Sequence, residues 1–141
     1  MELHCFVDAY QFLFSAVLYL RIKNAETFSS RLVFSKARLK SLSKSISIPR
    51  LELLGANLGS HQIRFFRTNT SLQISRTVLW TDNKCVLSWY NSSKILPVFI
   101  RNRIRNIKKA NITELRYVTS RQNPADLLTK PDSTSSFEEI W

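Results

Sequence analysis

The chain has 141 residues, of which 21 are lysine or arginine and 10 are aspartate or glutamate, giving a formal net charge of +11 at pH 7. This length suits one domain and leaves no room for two ordinary cores. Apolar residues make up 44% of the sequence, which excludes a fully disordered chain. The excess of positive charge favours a polyanionic partner, either nucleic acid or an acidic surface.

The cysteines and the N-terminus constrain the cellular setting. Two cysteines, Cys5 and Cys85, are too few for a disulfide-dense scaffold or a four-cysteine zinc site. The most apolar run, 12–20, is too short to span a membrane, and the acidic start of the chain does not suit a signal peptide. We therefore expect an intracellular protein, cytoplasmic or nuclear, with no membrane partner and with both cysteines free.

Three strands are predicted at the start of the chain, at 2–8, 13–22 and 31–39. Each is an apolar stretch rich in β-branched and aromatic residues, which are typical of strands. A polar turn at 23–26 separates the second strand from the third. Consecutive strands with short links indicate an antiparallel meander.

Helices and strands alternate after a loop at 40–47 that is rich in serine and lysine. Pro49 suits the first turn of a helix that extends to about residue 67, with one apolar stripe. That stripe consists of Leu51, Leu54, Leu58 and Phe65. The later predicted elements are a strand at 77–81, helices at 83–90 and 98–109, a strand at 115–119 and a short helix that starts at Asn123-Pro124 and extends to about residue 129. Strand–helix–strand links imply parallel pairing, so we predict a mixed α/β sheet with antiparallel strands 1–3 and parallel strands 4–5.

Four carboxylates fall at predicted strand ends or in first turns of helices, positions that meet at one edge of an open α/β sheet. They are Asp8, Glu52, Asp82 and Asp126. Glu52 and Asp126 could each be a partner of a helix dipole and no more, and Asp82 could be an N-cap. Asp8 follows an apolar strand, where a free charge is costly. If the four converge, cations must neutralise them, and Mg²⁺ is the usual ion beside phosphate substrates.

Several motifs, taken in order, carry a resemblance to a known family. They are Cys-Phe-Val-Asp-Ala (5–9), Ser-Ala-Val-Leu-Tyr-Leu-Arg (15–21), Leu-Val-Phe-Ser-Lys-Ala-Arg (32–38), Ile-Pro-Arg-Leu-Glu-Leu-Leu-Gly-Ala (48–56), Leu-Trp-Thr-Asp (79–82), Val-Leu-Ser-Trp (86–89), Arg-Tyr-Val (116–118) and Asn-Pro-Ala-Asp-Leu-Leu-Thr-Lys (123–130). The set resembles the ribonuclease H-like region of BEL/Pao retrotransposon polyproteins, a region that has also been labelled a peptidase.

The resemblance implies a fold, an activity and a set of partners. The fold is ribonuclease H-like over 1–130, with five strands flanked by helices, and 131–141 is a tail that begins the next polyprotein segment. The implied activity is Mg²⁺-dependent endonucleolytic hydrolysis of the RNA strand of RNA/DNA hybrids, beside the reverse transcriptase domain of the same polyprotein. The implied catalytic residues, which bind two Mg²⁺ ions or Mn²⁺ in their place, are Asp8, Glu52, Asp82 and Asp126.

Three other functions remain open. Tyr10 stands where relatives have serine and shares a strand face with Asp8, so its ring could crowd a metal site; the chain would then be a decayed copy that binds nucleic acid without cutting. A polynucleotidyl transferase shares the fold but normally carries its glutamate last, whereas Glu52 comes second. An aspartic peptidase needs paired Asp-Thr/Ser-Gly turns, and this sequence has Asp-Ala-Tyr at 8–10 and Asp-Asn-Lys at 82–84.

Basic residues offer two candidate contacts with a nucleic acid backbone. The helix at 98–109 carries four of them opposite its isoleucine stripe, namely Arg101, Arg105, Lys108 and Lys109. Lys36 and Arg38 alternate on one face of the third strand. Contacts of this kind with phosphates depend on salt and carry no base information; the alternative is a solvated basic face.

Two further patterns predict packing rather than chemistry. Gly55 and Gly59 are the only glycines, and they lie on the helix of Glu52, where packing against the sheet commonly justifies glycine. His4 and His61 are each expected to have either a structural role or plain exposure, since a lone histidine without a partner rarely marks a site. Trp80 is expected in the core.

Overall fold

The structure, a computed structural model, describes residues 1–40 and 45–125. Its elements are β1 (Glu2–Tyr10), β2 (Leu13–Asn24), β3 (Thr27–Leu39), α1 (Ile48–Asn69), β4 (Arg76–Thr81), α2 (Lys84–Tyr90), α3 (Val98–Lys109), β5 (Glu114–Tyr117) and a 3₁₀ turn (Ser120–Gln122). This is the predicted order as far as the fifth strand. The last predicted helix and the boundary at 130 lie outside the described residues, apart from 123–125. No helix in the described part of the chain is long and apolar enough to cross a membrane.

The strands form one five-stranded sheet in the order β3-β2-β1-β4-β5. β1 is antiparallel to β2, and β2 is antiparallel to β3. β4 pairs in parallel with β1 on one side and with β5 on the other. The predicted mixed α/β sheet is therefore confirmed, with β1 in the centre, where residues 3–9 are all buried.

Each face of the sheet carries its own apolar cluster, because side chains alternate along the central strand. Leu3, Cys5 and Val7 of β1 pack on the face covered by α1, in one cluster with the buried isoleucines of α3. Phe6 belongs to the opposite face, where it stacks on Trp80 with ring centroids 5.6 Å apart. Both cysteines are free, and burial raises the pKa of the Cys5 thiol.

His4 has a structural role, which is one of the two alternatives that the sequence left open. It is buried, and its Nδ1 accepts a hydrogen bond of 3.0 Å from the indole Nε1–H of Trp80. Its Nε2 lies 2.8 Å from a carboxylate oxygen of Glu2. Burial lowers the pKa of His4, so the neutral ring, which accepts at Nδ1 and donates at Nε2, fits both partners. Trp80 is buried with it, as predicted.

The two glycines allow α1 to approach the sheet closely. A Cβ added at Gly55 would lie 3.2 Å from the carbonyl oxygen of Asp8. A Cβ added at Gly59 would lie 2.8 Å from Cys5 Sγ and 2.9 Å from Val7 Cγ1. The helix–sheet packing predicted for these positions is thus present, and it sets Glu52, one turn before Gly55, against the end of β1.

Two details of the sequence-based assignment were wrong. Only half of the apolar stripe predicted on α1 is buried: Leu51 and Leu58 lie on the buried side of the helix with Gly55 and Gly59. Leu54 is half-buried and Phe65 is 58% exposed, because they lie away from that side. β2 extends into the predicted polar turn at 23–26, and β3 begins at Thr27, four residues before the predicted start of the third strand. The turn takes only Ala25 and Glu26, with Ala25 at a φ of 52°, and short hairpin turns commonly use such positive φ values.

Gly59→Ala tests the close packing of α1. In a helix, alanine is more favourable than glycine by about 1 kcal/mol, but overpacking a filled core costs about 1–3 kcal/mol. Because the new methyl would meet Cys5 and Val7, we expect a net loss of stability. The melting temperature, measured by circular dichroism, should fall by about 4 °C for each kcal/mol of unfolding free energy that is lost. Arg64→Ala, at an exposed position of the same helix, is the control. A Gly59→Ala protein more stable than wild type would contradict the packing.

Candidate metal centre

Three of the four predicted carboxylates meet at one edge of the sheet. Asp8 lies near the end of β1, Asp82 directly follows β4, and Glu52 lies on α1. One carboxylate oxygen of each lies within 4.8 Å of the others. The carboxyl ends of the parallel strands β1 and β4 share this edge, and the packing at Gly55 brings α1 to it. The predicted convergence is present for these three residues.

Glu52 occupies an electrostatically unfavourable position. It is 5% exposed, and burial, together with the charges of Asp82 and Asp8, raises the pKa of its carboxyl to about 9. The backbone N–H of Ala9 donates a hydrogen bond to it, which lowers the pKa but does not offset the burial. No described residue forms a hydrogen bond with Glu52 Oε2. At neutral pH the metal-free protein therefore holds Glu52 protonated, with one buried oxygen lacking a partner.

The chemistry of the cluster fits a hard divalent cation. All three side chains present carboxylate oxygens, the ligands that Mg²⁺, Ca²⁺ and Mn²⁺ prefer. A cation would favour the ionised form of Glu52 and give its orphaned oxygen a partner. The cluster combines two buried carboxylates with the partly exposed Asp82, which leaves an opening to solvent.

Asp82 is not an N-cap, contrary to one of the sequence-based alternatives. Asn83 caps α2, since its side-chain oxygen accepts a hydrogen bond of 3.2 Å from the N–H of Val86. Asp82 instead accepts a hydrogen bond of 2.9 Å at Oδ2 from the hydroxyl of Ser120. No local pattern indicated Ser120, because only the pairing of β4 with β5 brings it beside Asp82.

Asp126 lies outside the described residues, but the chain just before it is held beside the cluster. The side-chain amide of Asn123 donates a hydrogen bond of 2.7 Å to the carbonyl oxygen of Val7. The hydroxyl of Ser15 donates one of 3.1 Å to the carbonyl oxygen of Ala125. Ser15 is the β2 partner of Asp8 in the sheet. Asn123 was predicted only as a helix start, and its anchoring role depends on tertiary contacts that no local pattern shows.

Tyr10 does not keep the carboxylates apart. It is the last residue of β1 and is 42% exposed, whereas Asp8 is 1% exposed. The three carboxylates approach within 4.8 Å with the tyrosine in place. Crowding by the phenol ring, the reason given for a decayed copy, is therefore not severe enough to prevent the cluster from forming.

The predicted basic residues form two separate surfaces. On α3, Ile100, Ile104 and Ile107 are buried as predicted, and the four basic residues of the opposite face are exposed. Of these, Arg101, Arg105 and Lys108 line a cavity of about 400 Å³. Lys36 and Arg38 line a different cavity, of about 740 Å³, between β3 and α1.

Glu52→Gln tests the electrostatics of the cluster. The unfolded carboxyl ionises near pH 4.5 and the folded one near pH 9, so the stability of the metal-free protein should fall as the pH rises between these values. The amide cannot ionise, so the variant should lose this dependence and melt several degrees higher at pH 7–8. Mg²⁺ or Mn²⁺ should raise the melting temperature of wild type and have little effect on the variant.

Glu26→Gln is the matched control for this experiment, since Glu26 is exposed in the turn between β2 and β3. Thermal melts of the three proteins from pH 5 to 9, with EDTA or with metal, supply the comparison. An equal response to metal in wild type and Glu52→Gln would show that Glu52 is not a ligand.

Solved ribonuclease H structures share the fold. RNase H1 from Halobacterium salinarum superposes with a TM-score of 0.56 at 9% identity, covering 84% of this chain and 85% of that one. The N-terminal RNase H domain of a Mycobacterium tuberculosis protein gives 0.55 at 12% identity, with 90% and 89% covered. LC11-RNase H1 in complex with an RNA/DNA hybrid gives 0.55 at 11% identity, with 99% and 98% covered. At such low identities the similarity shows the fold alone.

The family assignment rests on the sequence. No curated protein matches the chain. The profile of the family described as "Pao retrotransposon-like RNaseH-like domain" matches residues 1–83, which is more than half of the chain. The matched stretch contains Asp8, Glu52 and Asp82. The chain therefore belongs to the Pao retrotransposon-like RNaseH-like domain family.

Proposed function

We propose that the protein is a metal-dependent endonuclease that hydrolyses the RNA strand of RNA/DNA hybrids during retrotransposon replication. The observation that carries this proposal is the meeting of the Asp8, Glu52 and Asp82 carboxylates at one edge of the sheet. The ribonuclease H-like fold and the family membership support a nuclease-type function on nucleic acid. LC11-RNase H1, which shares the fold, was solved with an RNA/DNA hybrid, and this favours the hybrid as substrate.

The three clustered side chains would hold the ions, Mg²⁺ in the first instance, with Mn²⁺ as the alternative. When bound, a pair of such ions activates a water and stabilises the leaving oxygen in phosphodiester cleavage. Glu52 would release its proton on loading, because a nearby positive charge favours the carboxylate. Ser120 would fix the orientation of Asp82 through its hydrogen bond, as residues outside the ligand set commonly do.

We propose Asp126 as the fourth catalytic carboxylate. Ala125, the residue before it, is bound through Ser15 beside Asp8. This anchoring supports the proposal, as does the position of Asp126 in the Asn-Pro-Ala-Asp motif. We also propose that the domain ends near residue 130, that 131–141 begins the next polyprotein segment, and that the reverse transcriptase domain is a partner that helps to hold the hybrid.

A cleavage assay tests the proposed activity. Wild type and Asp82→Asn are incubated with a labelled RNA/DNA hybrid and Mg²⁺, and with the matching DNA duplex and single strands. We expect wild type to cut only the RNA strand of the hybrid, and Asp82→Asn to lose the activity because a metal ligand is neutralised. Glu26→Gln should cut like wild type. Binding of the hybrid without cutting would indicate a decayed copy. Strand joining would indicate a transferase, and cleavage of a peptide would indicate a peptidase.

The basic face of α3 should contribute phosphate contacts. Arg105→Gln with Lys108→Gln removes two exposed positive charges without touching the buried isoleucines. We expect weaker hybrid binding and a slope of log affinity against log salt that is smaller by about two, roughly one for each lost phosphate contact. Titrations at several salt concentrations measure the slope. An unchanged slope would show that this face of α3 is solvated and makes no phosphate contacts.

A further inference from the structure

A cleft between α1 and the edge of the sheet has no part in the metal centre. It has a volume of about 740 Å³, within the range of small-molecule sites of about 300–1,000 Å³. Phe14, Phe34 and Phe65 line it, and the Phe34 and Phe65 rings meet edge to face at 5.7 Å. Phe65 is 58% exposed, and Phe14 and Phe34 are partly exposed beside it. The cleft therefore presents an aromatic surface to solvent.

The charges around this cleft are positive. Lys36 and Arg38 lie on the α1 side of β3, because they pair in register with Ala16 and Phe14 of β2. Both are exposed. Among the described residues that line the cleft, none is acidic. An anionic group at this edge would find two cations and no opposing carboxylate.

Gln62 supplies an independent indication of a ligand. It lines the cleft, is only 8% exposed, and its Oε1 accepts no hydrogen bond from any described residue. Buried polar groups are rarely left without partners. Rotation about the last side-chain bond exchanges the amide oxygen and nitrogen, so Gln62 can offer an acceptor or a donor to a molecule in the cleft.

We propose that this cleft binds a nucleotide, with the base against the aromatic lining and the Gln62 amide, and the phosphate at Lys36 and Arg38. Aromatic rings, an amide that pairs with base edges, and flanking cations are the features by which proteins hold unpaired nucleotides. The nucleotide comes either from a free nucleotide pool or from an unpaired strand. The site uses none of the clustered carboxylates, so it stands independently of the nuclease proposal.

The test uses the full chain in EDTA, which removes the metal centre from the measurement. The probes are AMP, five-residue single strands of RNA and of DNA, and inorganic phosphate. Calorimetry gives affinities, and NMR follows the Gln62 side-chain amide, whose signals are assigned by their absence in Gln62→Leu. We expect AMP or a single strand to shift these signals, and phosphate alone to leave them in place. Tighter binding of the strands than of AMP would identify an unpaired strand as the source of the bound nucleotide. Equal affinity for both would identify a free nucleotide as the source.

Matched variants decide whether the cleft is the site. Lys36→Gln with Arg38→Gln should weaken binding by about tenfold or more. Lys23→Gln with Arg31→Gln removes the same charge from β2 and β3 outside the cleft and should have little effect. Gln62→Leu should weaken binding while folding at least as stably as wild type, since it removes an unsatisfied amide. Asp82→Asn should bind like wild type.

Three results would overturn the proposal. The first is the absence of any shift of the Gln62 signals with every nucleotide probe. The second is an equal loss of affinity in both charge-removal pairs, which would indicate general attraction of polyanions. The third is occupation of the cleft by an acidic, apolar peptide that nucleotides fail to displace, which would assign it to a protein partner.

Discussion

The close approach of α1 to β1 is the constraint on which the candidate site depends. Glycine at 55 and 59 leaves the helix within contact distance of the backbone and side chains of β1, where a Cβ would meet Asp8, Cys5 or Val7. A helix held farther from the sheet would carry Glu52 away from Asp8 as well. The helix–sheet spacing, a packing property, therefore sets the distances among carboxylates, an electrostatic property. The same two residues that weaken the isolated helix are those that make the cluster possible.

The acidic side chains of this protein lie in two different electrostatic environments. At the opposite end of β1, Glu2 and Glu114 form ion pairs with Arg76, and Glu2 also pairs with Arg21. In the cluster, neither Glu52 nor Asp82 forms a salt bridge with a described residue, although the chain carries an excess of basic side chains. Holding Glu52 in this position costs stability in the absence of metal, because its carboxyl must take up a proton to remain buried. A cation-binding site must exclude arginine and lysine side chains, because these would neutralise the carboxylates in place of the metal ion.

The sequence allowed the fold and most of the site to be predicted, and the failures have identifiable causes. The order of elements along the chain and the mixed sheet followed from apolar runs and short links. Asp8, Glu52 and Asp82 followed from their places at strand ends and on a helix. The contact face of α1 was predicted only in part, since Leu51 and Leu58 lie on its buried side with the glycines whereas Leu54 and Phe65 do not. Ser120 could not be found at all, because its partner lies 38 residues away and the contact depends on strand pairing. Local sequence patterns predict helices and strands, whereas contacts between distant segments can be identified only once the sheet is assembled.

Helix α1 also links the carboxylate cluster to the cleft beside β3. One side of the helix carries Glu52 to the carboxylate cluster, and another carries Gln62 to the cleft beside β3. Each of these residues has a buried oxygen without a hydrogen-bond partner among the described residues. Such groups destabilise a metal-free, ligand-free protein, and both lie on the helix that packs most extensively against the sheet. The tight glycine-mediated contact with β1 is what allows this helix to carry two unsatisfied polar groups and still keep its place.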